Sequence, residues 1–107
     1  MDTMNNFSPT YYSPPANMTP AQRVAYYYRR HPVSWTAVLS VRHGWTPSHA
    51  VTANVIDDSG NEHRVTKALA MLHLVGVVER RERNNKHYEY RAVPEAAAAV
   101  DRILETI

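Results

Sequence analysis

The stretch from residue 61 to residue 93, NEHRVTKALAMLHLVGVVERRERNNKHYEYRAV, predicts a helix followed by a β-hairpin. Asn61 is a favourable N-cap residue, and Gly76 suits the left-handed position that commonly ends a helix. Between them, apolar residues recur at three- and four-residue spacing, which is the pattern of a helix with one buried face. That buried stripe comprises Val65, Leu69 and Leu72, with Ala68 and Val75 beside it.

The residues after Gly76 form two runs rich in β-branched and aromatic side chains, VVERRE and KHYEYRAV. The intervening Arg83-Asn84-Asn85 suits a loop because asparagine tolerates positive φ. The pattern predicts a two-stranded hairpin over residues 77–93, with one packed face and one solvated face. Alternation in the second run places Tyr88, Tyr90 and Ala92 on one face, and His87, Glu89 and Arg91 on the other.

The N-terminal part of the chain predicts a tail and a first helix. Residues 1–18 show no sustained apolar period, and we expect them to form a flexible tail. The sequence Thr19-Pro20-Ala21-Gln22 predicts a helix start, with threonine as cap, proline at the first position and glutamine completing a capping box. This helix should run to about Arg30, before Pro32. Its predicted buried face comprises Ala21, Val24, Ala25 and Tyr28.

The segment between Pro32 and residue 61 is less clear. Residues 34–43 fit both a strand, through their alternation, and a helix, which Ser34 as cap and Gly44 as terminator favour. Thr46-Pro47 repeats the earlier helix-entry signal and predicts a short helix that contains Ala50, Val51 and Val55. Asp57-Asp58-Ser59-Gly60 then predicts a turn.

The C-terminal residues 94–107 predict a final helix, because Pro94 suits a first turn and Glu95 and four alanines follow. The apolar stripe of this helix is expected to be buried, either against its own domain or against the same helix of a second subunit. A homodimer is favoured, since so small a domain has few other surfaces to bury the stripe. The expected dimer interface, to which the first helix contributes, comprises Val24, Tyr27, Tyr28, Ala96, Val100, Ile103, Leu104 and Ile107.

Composition narrows the class of protein. The 107 residues predict one domain, over residues 19–107, after the tail. The absence of cysteine excludes disulfides and a thiolate nucleophile and favours the reducing cytoplasm. The longest nearly apolar stretch, residues 68–78, is about half a membrane span, and no signal-peptide pattern opens the chain, so neither secretion nor membrane insertion is expected. The formal net charge is only +2, but residues 62–91 hold seven basic residues against four acidic ones.

Residues 61–93 resemble the recognition helix and wing of winged helix-turn-helix transcription regulators of the ArsR, MarR and PadR type. The resemblance is close over this stretch and extends loosely over residues 19–107. The chain departs from the family at Asp57-Asp58-Ser59-Gly60, where the family usually has a glycine followed by a buried aliphatic residue. The residues that carry the resemblance are Arg64-Val65-Thr66-Lys67, Leu69, Leu72, Gly76-Val77-Val78-Glu79-Arg80, Tyr88 and Tyr90.

The resemblance implies a mainly α fold with a small β-hairpin, namely a winged helix-turn-helix domain with a C-terminal dimerisation helix. A two-fold dimer would present two recognition helices to a pseudo-palindromic site on double-stranded DNA. The residues alone point the same way, because an exposed basic and polar helix face fits the major groove. Arg64 and Lys67 are the favoured readers of bases or phosphates, and the hairpin tip would reach the minor groove or the phosphates.

The predicted DNA-binding residues are His63, Arg64, Thr66, Lys67, Ala70, Arg80, Arg81, Arg83, Asn84, Asn85 and Lys86. A plainer interpretation stays open for both elements. The helix residues would then be the solvated face of an amphipathic helix, and Glu79, Glu82 and Glu89 would pair with the arginines across the strands.

Neither a metal site nor an active site is predicted. The six histidines include no pair at three- or four-residue spacing, and cysteine is absent, so metal binding would need ligands from separate elements. No glycine-rich phosphate loop or GxSxG motif is present, and turn chemistry explains Asp57-Asp58 beside His63. We therefore expect no metal, no cofactor and no enzymatic activity.

The predicted function is sequence-specific binding of double-stranded DNA by a small dimeric transcriptional regulator, with repression expected. Residues 61–75 would lie in the major groove and residues 77–93 on the backbone or in the minor groove. The alternative is a winged-helix module that binds a partner protein, and no DNA, through its tail, its tyrosines or its hairpin edge. The modest net charge and the tyrosine- and proline-bearing tail favour that alternative.

Overall fold

The computed structural model describes residues 17–55, 62–84 and 87–107, which form five helices and a three-stranded antiparallel sheet. The predicted mainly helical fold with a hairpin is therefore confirmed. None of the helices in these ranges is both long enough and apolar enough to cross a bilayer. The elements are α1 (Pro20–Arg30), α2 (Pro32–Ser40), β1 (Thr46–Pro47), α3 (Ser48–Val55), α4 (Glu62–Leu74), β2 (Val78–Asn84), β3 (His87–Ala92) and α5 (Pro94–Glu105).

Predictions for residues 85 and 86 of the hairpin loop fall outside these ranges, and so do three others. The three others are the tail, apart from residues 17 and 18, the turn at residues 57–60, and the N-cap at Asn61.

Helix α1 begins at the predicted capping box. The Thr19 hydroxyl accepts a hydrogen bond from the backbone N–H of Gln22 at 3.1 Å, and the Gln22 side chain accepts one from the backbone N–H of Thr19 at 2.8 Å. These two bonds satisfy N–H groups that have no partner within the helix. Together with Pro32 just beyond its end, they explain why the predicted bounds of α1 are confirmed.

The buried face of α1 differs from the prediction. Arg23, Val24 and Tyr27 are buried, whereas Ala25 and Tyr28 are exposed. The reason is that α1 packs against both α2 and α5, so that the covered face is centred on Val24. Burial raises the pKa of the Tyr27 phenol, and a hydrogen bond with Arg23 opposes that shift.

In the segment after α1, two helices begin at residues other than those predicted. Helix α2 begins at Pro32 rather than at Ser34, because proline has the φ of a first helical residue and its missing N–H is not needed there. Thr46 and Pro47 are not a helix entry. They form the edge strand β1, in which Thr46 lies opposite Tyr90 and Pro47 opposite Glu89, and α3 begins at Ser48.

Helix α4 and the hairpin agree with the sequence. Val65, Leu69 and Leu72 are buried, and Gly76 has φ +84°, the left-handed value at which glycine avoids the strain of a side chain. In the hairpin, Tyr90 and Ala92 of β3 are buried. Strand β2 continues to Asn84, so Arg83 and Asn84 belong to the strand and not to the predicted loop.

Helix α5 packs on α1 of the same chain, which corrects half of the predicted dimer interface. Val24, Tyr27, Ala96 and Val100 are buried within the chain's own core, so a second subunit cannot contact them. The rest of the predicted set remains available at the surface. Tyr28, Leu104 and Ile107 are exposed, and Ile103 is half-buried.

Two leucines of α4 test this arrangement. Leu69 is 0% exposed and Leu74 is 78% exposed, although both lie on the same helix. Leu69→Ala should lower the free energy of unfolding by about 2–5 kcal/mol, because it leaves a cavity in the core. Leu74→Ala, the matched control, should change it by no more than about 0.5 kcal/mol. Urea denaturation followed by circular dichroism measures both, and equal losses would contradict the packing of α4.

Candidate nucleic-acid interface

The apolar stripe of α4 holds this helix against the core of the domain. Helix α4 packs against α2 and α3, with Leu69 and Leu72 fully enclosed. At its C-terminal end the backbone N–H of Val77 donates to the carbonyl of Leu72 at 2.9 Å, and the chain then enters β2. This attachment determines which α4 side chains point away from the protein.

The opposite face of α4 carries the side chains predicted to read DNA. Arg64, Thr66, Lys67 and Ala70 are all exposed. Among the α4 side chains that the structure describes, those of residues 64–74, none is acidic. The exposed face is therefore polar and basic over residues 64–67. The side chain of His63, which was predicted to belong to this set, lies outside the description.

The outer face of the hairpin carries a ladder of ion pairs. Arg81 Nε lies 2.8 Å from Glu89 Oε1, and Arg91 Nη2 lies 2.6 Å from Glu79 Oε1. Both pairs join directly opposed residues of β2 and β3, where side chains of opposite charge stabilise a sheet. Arg83 Nε is 3.7 Å from the second oxygen of Glu89. We refer to these five residues as the ion-pair ladder.

Trp45 lies against the ion-pair ladder. The guanidinium carbons of Arg81 and Arg91 are 4.3 Å and 4.5 Å from the centre of its indole ring. Because Thr46 of β1 pairs with Tyr90, the same register extended by one residue brings Trp45 opposite Arg91. Trp45 therefore joins the start of the α3–α4 segment to the hairpin through two cation–π contacts.

The inner face of the hairpin presents a different basic group. Arg80 is exposed and lies directly opposite Tyr90, which is buried against the helices. The guanidinium carbon of Arg80 is 4.4 Å from the centre of the Tyr88 ring, which is partly exposed. Arg80 therefore lies on the opposite side of the hairpin from Arg81, and the predicted wing arginines do not form a single patch.

The predicted site is thus brought together in part. The structure gathers the described α4 residues on one face, but it divides the hairpin arginines between two faces and engages Arg81 and Arg83 with Glu89. Asn84 is exposed on β2, and Asn85 and Lys86 lie outside the described residues. Within the described ranges, no cluster of three or more histidine, aspartate or glutamate side chains is placed to hold a metal ion.

Sequence reasoning missed an apolar surface at the C-terminal end of α4. Met71 and Leu74 are 51% and 78% exposed, and with Val33 at the start of α2 they line a groove of about 600 Å³. Met71 and Leu74 are apolar residues outside the predicted buried stripe of α4, and this position could have indicated an exposed apolar surface. Trp45 was also missed, because its contacts depend on the pairing of β1 with a strand that is distant in sequence.

Comparisons of the chain with models of protein families, with curated proteins and with solved structures find no match.

Trp45 provides a test of the attachment between the hairpin and the helices. Trp45→Ala removes two cation–π contacts worth about 0.5–1 kcal/mol each and should lower the free energy of unfolding by about 1–2 kcal/mol. Tyr88→Ala, the matched control, removes one such contact and should cost about half as much. Urea denaturation of both variants measures the difference, and a Trp45 variant as stable as wild type would contradict a stabilising role for these two contacts.

Proposed function

We propose that this protein binds double-stranded DNA through the exposed face of α4, as a small dimeric transcriptional regulator with a winged helix-turn-helix fold. The observation that carries the proposal is the position of Arg64, Thr66 and Lys67 on the outer face of a helix whose inner face is buried. A helix of this kind fits the major groove, which is about 12 Å wide, and reads base edges with its N-terminal residues.

The order of elements supports the same proposal. Helices α3 and α4 pack together on α2, and a hairpin follows α4 directly. This is the arrangement that the resemblance to winged helix-turn-helix regulators implies. Short strand β1 adds a third strand beside β3, so the hairpin is anchored to the helical part of the domain.

The contribution of the hairpin is smaller than its arginine content indicates. The ion-pair ladder holds three arginines and two glutamates, so its net charge is only +1. Since ions released from phosphates provide most of the electrostatic affinity, partly neutralised arginines contribute less to it. We therefore expect only supporting contacts from the hairpin, Arg80 among them, and assign the main contacts to the exposed face of α4 that carries Lys67.

Dimerisation is proposed through the end of α5 and the residues that follow it, which the rest of the domain leaves uncovered. Leu104 and Ile107 are 37% and 75% exposed, and Ile103 is half-buried beside them. Burying an apolar side chain completely is worth about 1.5–3 kcal/mol, so pairing this end with a second subunit is favourable. Tyr28 is the exposed residue of α1 that the predicted interface includes.

The DNA contact is tested by fluorescence anisotropy of a labelled random-sequence duplex at about 50 and 200 mM salt. Binding should weaken steeply at the higher salt concentration. Lys67→Ala should weaken it further and lower the slope of log affinity against log salt by about 0.9 if Lys67 neutralises one phosphate. Absence of binding at both salt concentrations would contradict the proposal.

Two further arginine variants make that experiment specific. Arg81→Ala should change the slope less than Lys67→Ala, because Arg81 already shares its charge with Glu89. Arg102→Ala, which removes an exposed charge from α5, is the matched control and should leave the slope unchanged. An equal effect from all three variants would indicate a general charge effect rather than a surface centred on α4.

The dimer is tested by sedimentation of the double variant Leu104→Ser/Ile107→Ser. The wild-type chain should sediment as a dimer and the variant as a monomer, because the substitutions remove the apolar contact between subunits. Its circular dichroism spectrum should be unchanged, since both side chains are substantially exposed in the single chain. A variant that remains dimeric would exclude this end of α5 as the interface.

A further inference from the structure

An apolar groove lies between the start of α2 and the outer face of α4. It has a volume of about 600 Å³. Met71 and Leu74 stay largely exposed there, in contrast to the fully buried Leu69 and Leu72 of the same helix. Side chains as apolar as these are rarely left exposed together without a binding role. The lining of the groove includes Val33 of α2 and Arg64, Lys67, Met71 and Leu74 of α4.

The spacing of the lining residues matches a helical ligand. Arg64, Lys67, Met71 and Leu74 follow one another at three- and four-residue intervals along α4. At 1.5 Å per residue they span about 15 Å, which is close to three helical turns. A partner helix that lies alongside α4 would present residues at its own i, i+3 or i+4 and i+7 positions.

The charge of the groove specifies the ligand further. The charged residues of its lining are Arg64 and Lys67, both basic, and α2 carries no charged residue. An apolar floor with a basic end complements a helix that has an apolar stripe and acidic residues beside it. We infer that this groove binds an acidic amphipathic helix of a partner protein.

A second copy of this chain fits the groove less well. The end of α5 combines exposed Leu104 and Ile107 with Asp101 and Glu105, so its chemistry is similar. Its exposed apolar residues, however, cover about one turn, whereas the groove extends over about three. A separate helix with a longer apolar stripe therefore matches the groove better.

The inference has a regulatory consequence that rests on the proposed function. Arg64 and Lys67 line the groove and also belong to the proposed DNA surface. A partner helix whose acidic residues contact these two side chains would occupy the space of a phosphate backbone. Partner and DNA would then exclude each other, and the partner would release the regulator from DNA.

The test uses a synthetic helical peptide of about three turns, with leucines at three- and four-residue spacing and glutamates beside them. Titrated into the ¹⁵N-labelled full chain, it should shift amide resonances of α2 and α4 and leave those of α5 in place. Leu74→Ser should weaken peptide binding about tenfold or more, because it removes the most exposed apolar side chain of the groove. A peptide with lysines in place of the glutamates should bind the wild-type chain no more tightly than the glutamate peptide binds the Leu74→Ser variant.

The outcomes separate the inference from the proposed function. Peptide binding that is unaffected by Leu74→Ser, or shifts spread over the whole chain, would overturn the inference. So would sedimentation that shows a dimer for wild type and a monomer for Leu74→Ser, because the occupant would then be a second copy. In the duplex assay, Leu74→Ser should bind DNA normally and resist displacement by the peptide. A chain that binds the peptide but no DNA would overturn the proposed function alone.

Discussion

Burial of Leu69 and Leu72 beneath α4 is the interaction on which the rest of the structure depends. The two leucines set the rotation of the helix against α2 and α3. That rotation decides that Arg64 and Lys67 face outwards, and it places Leu74 at the surface. Leu72 also positions the hairpin, since its backbone carbonyl accepts a hydrogen bond from the backbone N–H of Val77 just before β2 begins.

The two faces of the hairpin differ because strand alternation separates the charged residues. On the outer face, Glu79 and Glu89 stand directly opposite Arg91 and Arg81, so most of the positive charge is compensated within the sheet. Exposed pairs of this kind contribute little to stability individually, about 0.2–1 kcal/mol. Their larger effect is to engage Arg81, Arg83 and Arg91 with carboxylates of the same sheet, which lowers the positive charge that the outer face of the hairpin offers to an anionic ligand.

Elements whose signals are local could be predicted from the sequence. The capping box of α1, the stripe and terminal glycine of α4, and Pro94 at the start of α5 each act within one or two helical turns. Features that depend on distant residues could not be predicted. Strand β1 exists because Thr46 meets Tyr90, and the same Thr-Pro dipeptide that starts α1 therefore has a different structure here.

The candidate site shows the same division. The exposed set on α4 followed from helical periodicity, whereas the ion-pair ladder and the stacking of Trp45 required the register of the strands. The predicted dimer interface was wrong at Val24 and Val100 because periodicity identifies an apolar stripe but not the surface that covers it. Here α1 and α5 pack against each other within one chain.

Helix α4 combines two chemistries that a purely DNA-binding helix does not need. Its exposed side chains over residues 64–70 are basic, polar or small, and its last turns expose Met71 and Leu74, which lie beyond the residues proposed to contact DNA. Leaving these side chains in water has a free-energy cost that is proportional to the apolar area that they expose. A basic end and an apolar end on one helix face are, however, complementary to a single acidic amphipathic ligand. Under the proposed function, the shared position of Arg64 and Lys67 would make binding of such a ligand and binding of DNA mutually exclusive.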